Sequence, residues 1–152
     1  MVKRFLIIAF AIVFVLTGCA KKIVELPAPP EIYAAITETI ALPELVELPE
    51  ELFIYSYGIE PEWFDSAVSY SCLDSMKPDE IVIIRAVDEE AANNVRKKLK
   101  TRLAYKIKSA ENYLPETVPI LNNGVVRQDG LIVSMIVSGE ITAIINVYKN
   151  MS

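Results

Sequence analysis

The densest concentration of chemically useful side chains lies between Arg96 and Lys108, where seven bases (Arg96, Lys97, Lys98, Lys100, Arg102, Lys106 and Lys108) occur with no acid among them. On a helical wheel Lys97, Lys98, Lys100 and Lys108 point away from the apolar stripe, while Arg96, Arg102 and Lys106 flank it. Such a row suits anions, such as lipid headgroups or the phosphates of a polymer. Near an anionic membrane each base is worth ~1 kcal/mol. The plainer alternative is a solvated helix face. A second candidate is the Gly58–Asp65 stretch, which can present Trp63 and Phe64 to a partner, since aromatics are favoured at interface hot spots. The alternative there is core packing.

Other chemistries lack their residues. The chain has no His, which removes His-based acid–base relays and His-ligated metals. Carboxylates pair at Glu50/Glu51, Glu60/Glu62, Asp79/Glu80 and Glu89/Glu90, but adjacent acids at helix starts and turns do not face each other across a cleft as glycoside hydrolysis requires. Capping and solubility explain them better. No Ser lies in a G-x-S-x-G turn, and no glycine loop cradles phosphate. Cys72 has no His to activate it. No catalytic residue, metal or cofactor is expected, and the chain is read as non-enzymatic.

The start of the chain supplies an address. Met1-Val2-Lys3-Arg4 is basic, Phe5 to Leu16 carries no polar side chain, and Leu16-Thr17-Gly18-Cys19 follows. These are the parts of a secretory signal. The apolar run is short for a bilayer span, which takes ~20 residues, although an uncleaved anchor is the alternative. Leu16-Thr17-Gly18-Cys19 resembles the lipobox of bacterial lipoproteins. That resemblance implies diacylglycerol on the Cys19 thiol and cleavage just before it. Residues 1–18 are then removed, 19–30 form a lipidated, Pro-rich tether, and 31–152 form one domain on the extracytoplasmic face of the cell membrane. Several acyl chains on one residue hold far more firmly than one.

Composition agrees. The 152 residues are 53% hydrophobic, above the usual ~45–50%, and much of the excess lies in the first 18 residues. Fifteen Lys and Arg stand against 20 Asp and Glu. Loss of Lys3 and Arg4 leaves 13 against 20, a net charge of −7. The stretch from Ile23 to Met76 holds acids and no base. An acidic domain outside the cell is not expected to meet nucleic acid. The expected partners are the bilayer, through Cys19, and an envelope protein or an anionic polymer or lipid.

The elements that must position these side chains follow from periodicity. Glu31–Ala41 reads as a helix with Ile32, Ile36 and Ile40 on one face. Pro49–Tyr57 reads as a second helix ended by Gly58, with a strand as competitor. Ser66–Leu73 alternates as a half-buried strand, and Asp79–Val87 is a β-branched strand. Asp88 caps a long helix through Tyr113 that carries the bases. Gly124–Arg127 and Leu131–Val137 form a hairpin about Asp129-Gly130, and Ser138 can cap a last helix. Two helices followed by two strand–strand–helix units predict an α+β fold: a four-stranded, mainly antiparallel sheet with helices packed on one face.

Several local words carry a wider resemblance. They are Tyr57-Gly58-Ile59, Met76, Glu80-Ile81, Arg102, Asn112-Tyr113-Leu114-Pro115, Gly130-Leu131-Ile132-Val133 and Val137-Ser138. In this order, from about Ile32 to Tyr148, they resemble a family of small Gram-positive bacterial lipoproteins classed as a domain of unknown function (4358 type). The resemblance implies a lipobox, one small α+β domain and an extracytoplasmic site. It brings no activity, ligand or catalytic residue. The resulting expectation is a membrane-anchored binding or interaction domain at the cell envelope. An accessory or solute-binding component of a membrane transporter is the second reading.

Overall fold

The computed structural model describes residues 26–74 and 76–151. Leu16, Thr17, Gly18 and Cys19 lie outside the described residues. In chain order the elements are α1 (Pro29–Thr39), β1 (Leu45–Glu47), α2 (Glu50–Tyr57), β2 (Phe64–Cys72), β3 (Glu80–Ala86), α3 (Glu89–Tyr113), α4 (Val118–Asn122), β4 (Val125–Asp129), β5 (Ile132–Val137) and α5 (Ile141–Asn150). The strands form one five-stranded sheet in the order β1-β2-β3-β5-β4. Each pairing is antiparallel. The α+β class therefore holds, with one strand more than the four expected. The added strand is β1, whose Leu45 and Glu47 pair with Cys72 and Tyr70 on the outer edge of β2. Three residues between Pro43 and Pro49 are too short to show a period, and prolines are compatible with an edge strand.

The helices do not share one face, which corrects the expected two-layer arrangement. Val82 and Ile84 of β3, with Val133 and Met135 of β5, pack beneath α2 and α3. Ile81 and Ile83, with Val68 and Ile136, pack against α1 and α5 on the other face. Both sides are buried because β3 and β5 are apolar at successive positions, and such runs mark strands covered on both faces. Among the described residues the buried members of the three clusters run from Leu26 to Tyr148. Leu26, inside the stretch read as tether, is buried in the α1–α5 core. The first helix opens at Pro29 rather than Glu31 because Pro29 and Pro30 suit its first turn.

Local signals set the helix ends that matter for the site. The Asp88 carboxylate accepts from the Ala91 N–H at 2.7 Å and caps α3. Gly58 ends α2 in the left-handed region with φ +61, a conformation that costs glycine no steric penalty. Ser138 lies before α5 rather than at its cap. Its hydroxyl accepts from the Glu140 N–H at 3.1 Å, and the helix begins at Ile141.

Candidate functional site

A buried carboxylate organises one side of α3. Glu80 opens β3 in phase with Val82 and Ile84, so its side chain points under α3, and the residue is 1% exposed. A buried charge is costly unless paired and hydrogen-bonded. Glu80 is satisfied from three elements. The Tyr57 hydroxyl, at the end of α2, donates to its Oε1 at 2.5 Å. Lys106 Nζ on α3 donates to its Oε2 and to the Pro78 carbonyl at 3.0 Å. Arg102 Nε, one turn earlier on α3, reaches Oε1 at 3.5 Å. The Arg102 guanidinium also lies over the Tyr57 ring, 5.2 Å from its centroid. Behind them Ser69 Oγ donates to the Tyr57 oxygen at 3.3 Å.

These contacts set the charge states. Burial works against the Glu80 carboxylate, but the Lys106 and Arg102 charges, with hydrogen bonds from Lys106 and Tyr57, outweigh it and hold its pKa below the ordinary value. Burial, then the Glu80 charge, push the Tyr57 phenol up, so it stays a neutral donor. A carboxyl that is more acidic folded than unfolded stabilises the fold above its unfolded pKa, and that contribution is lost as pH falls through the folded value. The urea midpoint should therefore decline on acidification below 4.5, the reference carboxyl value. Glu80→Gln should flatten that decline; an unchanged acid slope in the variant would contradict this origin.

Above the cluster, two cavities run along α3 and share Arg102 and Tyr105. One, of about 260 Å³, is walled by Tyr105, Ala110, Tyr113, Leu114 and Leu121, with Lys77 and Lys106 also lining it. The other, of about 340 Å³, is lined by Ser56, Gly58, Lys98, Thr101 and Arg102. Lys98 Nζ lies against Gly58, 3.4 Å from where a Cβ would stand. The groove therefore gathers Lys77, Lys98, Arg102 and Lys106 over one acid, Glu80, for a local net charge of +3.

Of the four lysines singled out by sequence, Lys98 lines this groove. Lys97, Lys100 and Lys108 are exposed elsewhere on α3. Arg102 and Lys106, expected only to flank the apolar stripe, are the bases that reach the buried acid. Trp63 and Phe64 are half-buried against the α2–α3 core, with Phe64 edge-on to Phe53 at 5.7 Å and 82°. Cys72 is a free, half-buried thiol. Glu80 was legible only as part of a surface acid pair. The available signal was its phase: an acid two residues before Val82, on the same strand face. Among the described residues no group of His, Cys, Asp and Glu can hold a metal, and no helix is long and apolar enough to cross a membrane.

A family model described as a domain of unknown function (DUF4358) matches residues 38–138. The matched span includes the Tyr57–Glu80–Arg102–Lys106 cluster and the groove above it. No curated protein and no solved structure matches the chain. With about two thirds of its length matched, the chain belongs to the DUF4358 family of domains of unknown function.

Proposed function

We propose that the protein is a lipid-anchored, extracytoplasmic lipoprotein of a Gram-positive cell envelope. In this reading it has no catalytic role, and its domain binds an anionic ligand or partner in the groove along α3. The observation that carries the binding role is the buried Glu80. It draws Arg102 and Lys106 together beneath the groove, and Lys98 and Lys77, which have no acid partner among the described residues, add positive charge at the rim. Arg102, held between Glu80 and the Tyr57 ring, loses less side-chain freedom on binding than a base on an open helix face. The anchoring role rests on Leu16-Thr17-Gly18-Cys19 at the end of an apolar run.

Two measurements test the two halves. Cys19→Ala should move the protein from the membrane to the soluble fraction; undiminished membrane retention would defeat the lipobox reading. The chain from Ala20 onward, titrated with inorganic pyrophosphate, should show saturable binding that weakens with added salt. Lys98→Gln should weaken it further. Absence of binding at low salt would defeat the groove reading.

A further inference from the structure

The two cavities differ in chemistry, and the difference specifies a ligand. Arg102 reaches Glu80 through its Nε and lays the face of its guanidinium over the Tyr57 ring. Among the described residues no acceptor lies within hydrogen-bonding distance of its two Nη groups, which leaves a planar pair of donors suited to a bidentate oxyanion. Lys98, beside it in the same cavity, has no acid partner among the described residues. Lys106, by contrast, is already spent on Glu80 and the Pro78 carbonyl. The head of a ligand therefore belongs at Arg102 and Lys98, with the Ser56 hydroxyl nearby.

The neighbouring cavity carries Lys77 and Ser109 at its edge, but more of its wall is apolar and aromatic surface. Tyr105 and Tyr113, two helical turns apart on α3, are 65% and 83% exposed. Ala110, Leu114 and Leu121 line the same space. Arg102 and Tyr105 belong to both cavities, so a head bound at the guanidinium leaves the rest of the molecule beside the tyrosines. Volumes of about 260 and 340 Å³ together fall within the ~300–1,000 Å³ of small-molecule sites.

We propose that the groove takes a small amphiphilic anion, with a carboxylate or phosphate head paired to Arg102 and Lys98 and a short apolar body packed on Tyr105, Tyr113 and Leu114. This rests on the reading of the groove as an anion site and adds the apolar half. Octanoate, octyl phosphate, octanol and inorganic phosphate, all below micelle-forming concentrations, serve as probes of the chain from Ala20 onward, with binding followed by NMR chemical shifts.

Octanoate or octyl phosphate should bind about tenfold tighter than either octanol or phosphate, and the tighter of the two identifies the head. Arg102→Lys keeps the charge beside Glu80 but loses the planar fork, and it should weaken the better amphiphile about fivefold or more. Tyr105→Ala should weaken the amphiphile and leave phosphate unchanged. Lys100→Gln, outside the groove, should leave both unchanged. If phosphate binds as tightly as octyl phosphate and Tyr105→Ala has no effect, the amphiphile is wrong while the anion site stands. If octanol matches octanoate, or if none of the probes shifts α3 resonances, both readings fall.

Discussion

Glu80→Ala is expected to lower the folding free energy by about 3 kcal/mol, read from urea unfolding. Removing one partner of a buried ion pair typically costs ~3–5 kcal/mol, because the other charge is left without compensation. Here two charges, on Lys106 and Arg102, and the Tyr57 hydroxyl lose their common acceptor. The lower end of the range applies because the Lys106 and Arg102 side chains retain 18% and 29% exposure, so water can recover part of their solvation. Glu80→Gln keeps an acceptor for Tyr57 and should lose less. A Glu80→Ala loss below about 1 kcal/mol, the level of a surface pair, would show that Glu80 does not organise the groove.

Ile83→Ala is expected to cost about as much as Ile84→Ala, each in the ~2–5 kcal/mol range for emptying a buried aliphatic site. Both residues are 0% exposed, yet they point to opposite faces of β3. Ile84 packs with α2 and α3, and Ile83 with Val68, α1 and α5. A sheet covered on one face only would make one of these substitutions nearly silent. Thermal or urea unfolding of the two variants separates the arrangements: similar large losses support three layers, and a loss confined to Ile84→Ala contradicts them.

The same strand shows how far the sequence could be read. Helix α3 was legible end to end, because Asp88 caps it, Ala92, Val95, Leu99, Leu103, Ile107 and Ala110 keep its period, and Pro115 follows it. The β4–β5 hairpin was legible from Asp129-Gly130, where Gly130 adopts φ +60. The second helical layer was harder to see because β2 alternates apolar residues with Ser69 and Ser71, a pattern that normally marks a solvated face. Ser69 is 3% exposed, since Tyr57 and α2 lie over it. Strand β1 is too short to carry a period and gains its identity from pairing alone.

The site was the least legible part. Its members come from β2, α2, β3 and α3, and Glu80 lies 23 residues from Tyr57 and 22 and 26 from Arg102 and Lys106. No local spacing links them. The seven bases of α3 were visible as a charged run, but only the tertiary fold divides them. Arg102 and Lys106 are tied to a buried acid, Lys98 is drawn over Gly58, and Lys97, Lys100 and Lys108 remain in water.

That division is the central claim, and residue-resolved NMR of the chain from Ala20 onward, titrated with inorganic pyrophosphate at low salt, tests it most directly. Saturable shifts should concentrate on Lys98, Thr101, Arg102, Tyr105 and Gly58. Equal, non-saturating shifts that include Lys97, Lys100 and Lys108 would instead mark an undifferentiated basic helix surface and contradict the groove as the binding site.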